Sequence, residues 1–216
     1  FSGRKNDIKI PESLWDYKKD TDHLSFYEDP QLKEKLRQSG NAPLHRPPTD
    51  QYYTHHTSHC AGAFYTRPWK DRESTVMVSI DGVGEHQTAV ILDHNFKIIK
   101  EWHYPKSVGL VYTDCTKALG LRPLEDEYVV MGLSSYAEPD PTIVDTIKKW
   151  YDSFPLINPK VEAGLLLDGR DGTPDDDRIY MSRYLKGLVK SGFEHAVIAA
   201  SVQSFADYAI MGIMKE

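Results

Sequence analysis

With 216 residues, the chain is long enough for one sizeable domain or two small ones with a hydrophobic core. Its net charge of −6 and predicted isoelectric point of 5.8 disfavour the broad basic face with which proteins bind nucleic acids. Two cysteines are too few for a disulfide framework, so we expect a reducing, cytoplasmic location. No apolar run approaches the roughly 18–20 residues of a membrane span and no signal peptide is visible, so no membrane partner is expected.

Residues 1–50 are polar and irregular, and we expect them to form an N-terminal segment and linker that is either part of the same lobe as the rest of the chain or an insertion. A proline near the start of 11–20 and of 29–40 suits the first turn of a short helix. The proline-rich segment 41–50 predicts a connector. The chain opens at Phe1 without a methionine and closes on an apolar stretch typical of a helix in mid-course, so we expect a fragment of a longer protein.

The organised part of the chain follows this segment and begins with a helix and several strands. Small residues predict a closely packed helix at 55–65. Apolar runs bounded by turn residues then predict three strands, at 74–82, 86–93 and 96–104. His94 and Asn95 supply a hairpin turn between the last two strands.

Helices dominate the second half of the chain. Apolar residues three and four positions apart predict a helix at 106–121, and a one-sided apolar pattern recurs at 141–157. The segment 127–141 is a short apolar run that ends in a turn, and 164–169 is a short strand candidate. Two further helices are expected, at 177–190 and 196–215. Strands early and helices late indicate an α/β or α+β domain.

Three histidines lie within five residues, and His55 and His59 are four positions apart. On a helix this spacing places both imidazoles on one face, within reach of one cation, and imidazole is a common ligand of zinc and iron. The alternative is a pair of ordinary histidines at the helix surface or the edge of the core, because this spacing is permissive. His56 points away from that face, and it is a candidate catalytic donor to a ligand or a surface residue.

An apolar strand ends at Asp81, which opens the turn sequence Asp-Gly-Val-Gly-Glu. A carboxylate there can bind a cation, and Gly82 and Gly84 would let backbone N–H groups approach an anion. Glu85 is a further candidate acid at the same turn. An ordinary β-turn aspartate is the alternative. Because the histidines and Asp81 come from separate elements, their combination favours a metal and phosphate site.

Further candidate binding residues lie later in the chain. Ser107 and Gly109 stand at the start of the helix predicted at 106–121, where backbone N–H groups attract phosphates and carboxylates. For Ser107, capping of this helix is favoured over ligand binding. Glu127 belongs to an acidic group of the kind that usually forms a solvated surface. Cys60 is interpreted as a small apolar residue and not as a nucleophile.

Four sequence blocks, in order and at matching spacing, resemble the carbamoyltransferase family, which includes nodulation-factor and antibiotic-tailoring O-carbamoyltransferases. The blocks are HHTSHCAGAFYTRP, VSIDGVGE, PKSVGLVYTDCTKALGL and EYVVMGLSSYAEP, and they cover residues 51–139. The resemblance implies an actin-like and sugar-kinase-like (ASKHA) fold related to the tRNA threonylcarbamoyltransferases. It therefore predicts an α/β fold with a mixed twisted sheet and flanking helices, and a partial actin-like domain at 51–216.

The resemblance also implies a reaction in two stages. In such enzymes carbamoyl phosphate and ATP give carbamoyl-adenylate in a separate C-terminal domain. The actin-like domain then transfers the carbamoyl group to a hydroxyl of a small-molecule or sugar acceptor. The family's divalent metal, usually taken as iron, is held at positions that match His55, His59 and Asp81, where it would act as a Lewis acid. Glu127 matches a retained residue of the fourth block, which the family uses near the nucleotide.

The chain departs from the family pattern at its ends and in the fourth block. A further aspartate ligand in the second lobe, the first phosphate-binding hairpin and the adenylate-forming domain fall outside these 216 residues. We therefore expect this fragment alone to be inactive. Asp126 stands where the family has glycine and Val129 where it has lysine, and the lost positive charge weakens the case for nucleotide handling.

Two other functions remain open from the sequence. A tRNA threonylcarbamoyltransferase-like enzyme would share the fold, although the acidic charge and the Asp-Gly-Val-Gly-Glu turn disfavour it. A degenerate, non-catalytic module that binds a nucleotide or a partner is the second alternative. Self-association is expected as well, through apolar faces that a second lobe would otherwise cover.

Overall fold

A computed structural model describes residues 51–68, 71, 73–157 and 176–216 of the chain. The helices and strands in this part are α1 (His55–Thr66), β1 (Met77–Gly84), β2 (Gln87–Leu92), β3 (Ile98–His103), α2 (Val108–Ala118), α3 (Glu127–Leu133), α4 (Pro141–Asp152), α5 (Asp176–Lys190) and α6 (His195–Met214). The predicted linker at 1–50, with its two short helices, and the strand candidate at 164–169 lie outside the described residues.

The three strands form an antiparallel sheet in chain order, with β2 in the centre. Every residue of β2 is buried, because successive side chains of a strand point to opposite faces and both faces are covered. Val90 and Leu92 pack with residues of α1 on one face. Ala89 and Ile91 pack with Ile213 of α6 on the other. The predicted α/β fold, a sheet with flanking helices, is confirmed.

The turn between β2 and β3 lies where His94 and Asn95 predicted it. Asp93 accepts hydrogen bonds through Oδ1 from the backbone N–H groups of Asn95, at 2.8 Å, and Lys97, at 2.9 Å. Phe96 adopts the left-handed backbone region, with φ of 63°, and its ring packs against the small core between α1 and the sheet. The hairpin is therefore held by local hydrogen bonds and by the packing of Phe96 against aromatic residues of α1.

The larger hydrophobic core lies among the helices that follow the sheet. The pattern at 141–157 gives α4, in which Ile143, Ile147 and Tyr151 are buried on one side. The Asp140 side chain caps this helix by accepting from the backbone N–H of Thr142 at 2.8 Å. The other core residues are contributed mainly by α2, α5 and α6, and include Val111, Cys115, Met181, Leu185, Ile198, Val202 and Phe205.

Helix α6 is 20 residues long and predominantly apolar. By length and composition it could cross a membrane. The expectation that no apolar run approaches the length of a membrane span therefore does not hold for α6. Half of the most apolar stretch of α6 is buried inside the protein. Ile198, Val202 and Phe205 are completely buried, which is the pattern of a core helix.

The segment 127–141 contains more regular structure than an apolar run ending in a turn. Glu127–Leu133 form α3, and a short 3-10 helix follows at Ser134–Tyr136. Val130 is completely buried against the helical core. Because seven residues are too few for a stable isolated helix, α3 depends on this packing, which the local sequence does not reveal.

Candidate metal centre

Three predicted ligand residues converge between α1 and β1. Nε2 of His55 lies 2.7 Å from Oδ2 of Asp81 and 3.0 Å from Nε2 of His59. Nε2 of His59 lies 3.4 Å from the same carboxylate oxygen. The helix places the two imidazoles on one face, as the spacing predicted, and the sheet brings Asp81 to them from 26 residues along the chain.

These separations fit a single cation. Two ligand atoms that are each about 2.1 Å from one metal ion can be at most about 4.2 Å apart, and all three measured separations are shorter. The side chain of His55 is 4% exposed, whereas those of His59 and Asp81 are 53% and 37% exposed. A cation held here would be open to solvent on one side, with positions left for further ligands.

Glu85, predicted as a substrate-binding acid, belongs to the turn between β1 and β2, and its side chain lies beside the first residue of α1. Both of its carboxylate oxygens accept from the backbone N–H of His55, at 3.1 and 3.2 Å. Only 6% of Glu85 is exposed, and its φ of 47° lies in the left-handed region. A negative charge at a helix N-terminus is favourable because the N–H groups there are otherwise unsatisfied. In this structure Glu85 fixes the position of His55, one of the three candidate metal ligands.

Two of the three glycines predicted to bind a ligand, Gly84 and Gly109, are sites of close contact between elements. A Cβ at Gly84 would lie 2.6 Å from Cβ of His55, so only glycine lets α1 approach β1 this closely. A Cβ at Gly109 would lie 2.7 Å from the backbone nitrogen of Gly82, where α2 meets the end of β1, which continues to Gly84 and not only to the predicted end at residue 82. At Gly82 the nearest atom would be a leucine methyl at 3.8 Å, which is ordinary contact.

His56, the predicted catalytic residue, is completely buried behind the metal-ligand candidates. Its Nε2–H donates to the carbonyl of Gln87 at 3.0 Å, because a carbonyl can only accept, and Nδ1 accepts from the hydroxyl of Ser79 at 2.8 Å. Burial is the main cause that lowers the pKa of His56 to about 4, so the ring is neutral. This arrangement favours a role in joining α1 to β1 and β2 over direct contact with a substrate.

Ser107 caps α2, the role that the sequence favoured. Its Oγ accepts from the backbone N–H of Leu110 at 3.1 Å and donates to the carbonyl of Gly82 at 2.6 Å. Ser107 is almost fully buried. The hydroxyl therefore ties the start of α2 to the end of β1.

Glu127, the remaining predicted binding residue, lines a groove between α2, α3 and α6. Its Oε1 accepts from the backbone N–H of Leu124 at 2.7 Å and from the hydroxyl of Thr113 at 3.2 Å. The neighbouring Asp126 accepts from the guanidinium of Arg122 at 3.0 and 3.1 Å. The groove has a cavity volume of about 310 Å³, and its lining also includes Val108, Tyr112, Tyr128, Met131, Gln203, Ala206 and Ile210.

The two cysteines are free and buried. Burial raises the pKa of the Cys60 thiol to about 11 and is the main cause that raises the pKa of Cys115 to about 12. A buried, protonated thiol is a poor nucleophile. The interpretation of Cys60 as an apolar packing residue agrees with this environment.

A second group of ligand-type side chains was not singled out from the sequence. His86, Glu101 and His103 offer ligand atoms that all lie within 4.8 Å of one another. The strand sequence Glu-x-His gives a usable signal, since alternate residues of β3 share a face. The approach of His86 across the hairpin has no such local signal.

A family model described as carbamoyltransferase N-terminus matches residues 26–171, more than half of the chain. An uncharacterised protein of Synechocystis is 32% identical over 50% of this chain, and one of Methanocaldococcus jannaschii is 36% identical over 45%. The nodulation protein NolNO of Sinorhizobium fredii is 31% identical over 44%. The matched regions cover 18%, 20% and 14% of these relatives, so the chain spans only a small part of their length.

Proposed function

Because this chain belongs to the carbamoyltransferase N-terminus family, we propose that it forms the metal-binding part of an O-carbamoyltransferase. The observation that carries the proposal is the convergence of His55, His59 and Asp81 from α1 and β1. Two imidazoles and one carboxylate make a donor set that suits iron, zinc or manganese, and iron is our first choice.

The residues around this group support such a role. Glu85 holds the first turn of α1, Gly84 permits the close approach of His55, and His56 joins the helix to the sheet. Metal ligands keep their geometry only when neighbouring groups orient them. We therefore assign Glu85, Gly84 and His56 to positioning the ligands. When bound, the metal would supply Lewis-acid polarisation of carbamoyl or phosphate oxygens.

For the full-length protein, we propose transfer of a carbamoyl group from carbamoyl-adenylate to a hydroxyl of a small-molecule or sugar acceptor. Carbamoyl phosphate and ATP would give the adenylate in another domain. The chain covers a fifth or less of the relatives named above, so a further metal ligand and the adenylate-forming machinery are assigned to the rest of the protein.

The full-length protein provides the test. Purified from cells grown with iron, it should contain a transition metal and should consume ATP and carbamoyl phosphate when hydroxylated acceptors are added. His59→Ala should lower the iron content and the rate of carbamoyl transfer together, by about 10-fold or more. His94→Ala removes an imidazole from the β2–β3 turn and should leave both unchanged.

Two results would contradict the proposal. One is a wild-type protein that consumes no carbamoyl phosphate with any hydroxylated acceptor. The other is a His59→Ala variant with full metal content and full activity. A folded protein that binds neither metal nor nucleotide would instead favour the degenerate binding module.

A further inference from the structure

His86, Glu101 and His103 form a compact group on the β-sheet hairpin, separate from the three residues assigned above. His86 lies in the turn between β1 and β2, and the other two lie on β3. Nε2 of His103 is 3.3 Å from Oε2 of Glu101. The rings of His86 and His103 meet edge to face, with centroids 4.8 Å apart.

The strand register explains why these side chains meet. Glu101 and His103 are alternate residues of β3 and so point to the same face of the sheet. Gln87 pairs with His103, and the register shifts between Gln87 and Ala89. The backbone N–H of Tyr104 donates to the carbonyl of His86 at 3.0 Å. The end of β3 therefore lies directly beside the β1–β2 turn.

The surroundings give the group both support and access. The side-chain amide of Gln87 donates to Oε2 of Glu101. His103 is completely buried, while the Glu101 side chain is 20% exposed and His86 is partly exposed. Metal-binding carboxylates in proteins are commonly oriented by such hydrogen bonds. An ion could reach this group from the side of His86 and Glu101.

We propose that His86, Glu101 and His103 bind a second divalent transition metal, for which zinc is the appropriate probe. Two imidazole nitrogens and a carboxylate oxygen are the donors that zinc takes in proteins, with water free to complete the coordination. Their separations, within 4.8 Å, require only small side-chain shifts to reach about 4.2 Å, the largest spacing of two ligands on one ion.

A metal at this position would fix the turn between β1 and β2. That turn positions the first metal centre, which consists of His55, His59 and Asp81. Gly84 and Glu85, which contact His55, directly precede His86. The carbonyl of Gln87 accepts from His56, while its side chain holds Glu101. A cation joining His86 to β3 would therefore reduce the freedom of the turn against which α1 is placed.

The experiment measures zinc binding by the metal-stripped full-length protein and its variants. His86→Ala and Glu101→Gln should each lose one equivalent of bound zinc or raise its Kd by about 10-fold or more. His94→Ala, which removes a histidine from the same hairpin, should bind zinc as the wild type does. His59→Ala addresses the first centre, and the double variant with His86→Ala should lose two equivalents.

The outcomes separate the two centres. If His86→Ala loses zinc and His59→Ala does not, the second site stands and the metal role assigned to His59 fails. If His59→Ala loses zinc and His86→Ala does not, only the second site is overturned. Added zinc should raise the Tm of His59→Ala, but not that of the double variant His59→Ala/Glu101→Gln, in which each centre lacks a ligand. Zinc stoichiometry, affinity and Tm shifts that match the wild type in both His86→Ala and Glu101→Gln would show a hydrogen-bonded cluster without a metal and would overturn the proposal. Glu101→Gln keeps a side chain of the same size, so it decides the question even if His86→Ala fails to fold.

Discussion

At Gly84 the absence of a side chain controls how closely α1 approaches the sheet. The ring and Cβ of His55 occupy the space that any Cβ at this position would need. Close contact between backbone and side chain, and not backbone flexibility, is the reason for glycine here, because Gly84 does not have a positive φ. The position of one metal-ligand candidate therefore depends on a residue that binds nothing itself.

We predict that Gly84→Ala will displace His55 and lower metal affinity. Forcing an extra carbon into a tightly packed contact costs about 1–3 kcal/mol of folding free energy. Metal titration and urea unfolding of the variant would measure both effects. Gly62→Ala in α1 is the matched control, because a Cβ there has no atom within 4 Å; it should bind metal normally and gain about 0.5–1 kcal/mol in stability. Normal metal binding by Gly84→Ala would contradict the role given to this glycine.

The Cys115 thiol makes folding sensitive to alkaline pH. Burial is the main cause that raises its pKa to about 12, whereas the ordinary value is 9.0. Above pH 9 the unfolded chain therefore loses a proton that the folded chain keeps, so stability falls as pH rises between these two values. From this thiol alone, the loss by pH 10 is about 1.4 kcal/mol.

The change in unfolding free energy between pH 8 and pH 10 should accordingly be smaller in Cys115→Ala than in the wild type. Denaturant unfolding at both pH values provides the measurement. Val111→Ala, also buried in α2, should lower stability equally at both pH values, since it removes no titrating group. Equal pH dependence in the wild type and Cys115→Ala would show that the thiol is not protected by burial.

At the scale of elements, α6 is the helix on which the larger core is built. Its buried face includes Ile198, Val202 and Phe205, which are completely shielded from solvent. The same helix also carries exposed apolar residues, among them Met211, which is 55% exposed. This division between a buried face and an open face, and not overall hydropathy, identifies the helix as part of a folded core.

We expect Phe205→Ala to destabilise the protein by about 3–5 kcal/mol, because it removes a fully buried ring and leaves a cavity. Met211→Ala on the same helix should change stability by no more than about 0.5 kcal/mol. Thermal or denaturant unfolding of the two variants gives a direct comparison. Similar losses in both would mean that α6 does not bury the face described here.

At the scale of the whole molecule, the two flanking layers differ in how strongly they are held. Helix α1 rests on a small core that it contributes to through Cys60 and Phe64. The helices after the sheet share a much larger core, to which α6 alone contributes Ile198, Val202, Phe205 and others. Elements with little buried apolar surface open at lower free-energy cost. The metal-ligand candidates therefore lie on the less strongly held side of the sheet.

Removal of the metal should loosen α1 selectively. With metal at 100 times its Kd, binding opposes opening of the site by about 2.7 kcal/mol, which corresponds to about 100-fold slower exchange of the affected amides. Hydrogen exchange of the full-length protein before and after chelation would follow α1 and α6 separately. Exchange in α6 should not change. Unaltered exchange in α1 would indicate that no metal links it to β1.

The sequence by itself determined most of the local elements, the family, and three ligand-type residues that the structure brings together. The four-residue spacing of His55 and His59 predicts one helical face because the helix repeats every 3.6 residues. Alternating and continuous apolar runs identified the three strands in the correct order. The predictions of α2 and α4 from apolar periodicity, and of the two later helices α5 and α6, are likewise confirmed.

Only the tertiary structure showed how the predicted ligands meet, which other distant residues join them, and what each one does there. Asp81 reaches His55, Glu85 caps α1, and His56 turns inward to Ser79. His86 joins the ligand-type residues of β3 through the register of the hairpin. None of these contacts follows from a local repeat, because they depend on how helix and sheet pack against each other. That packing is set by side-chain volume, down to the missing Cβ of Gly84, and it is a property of the assembled fold.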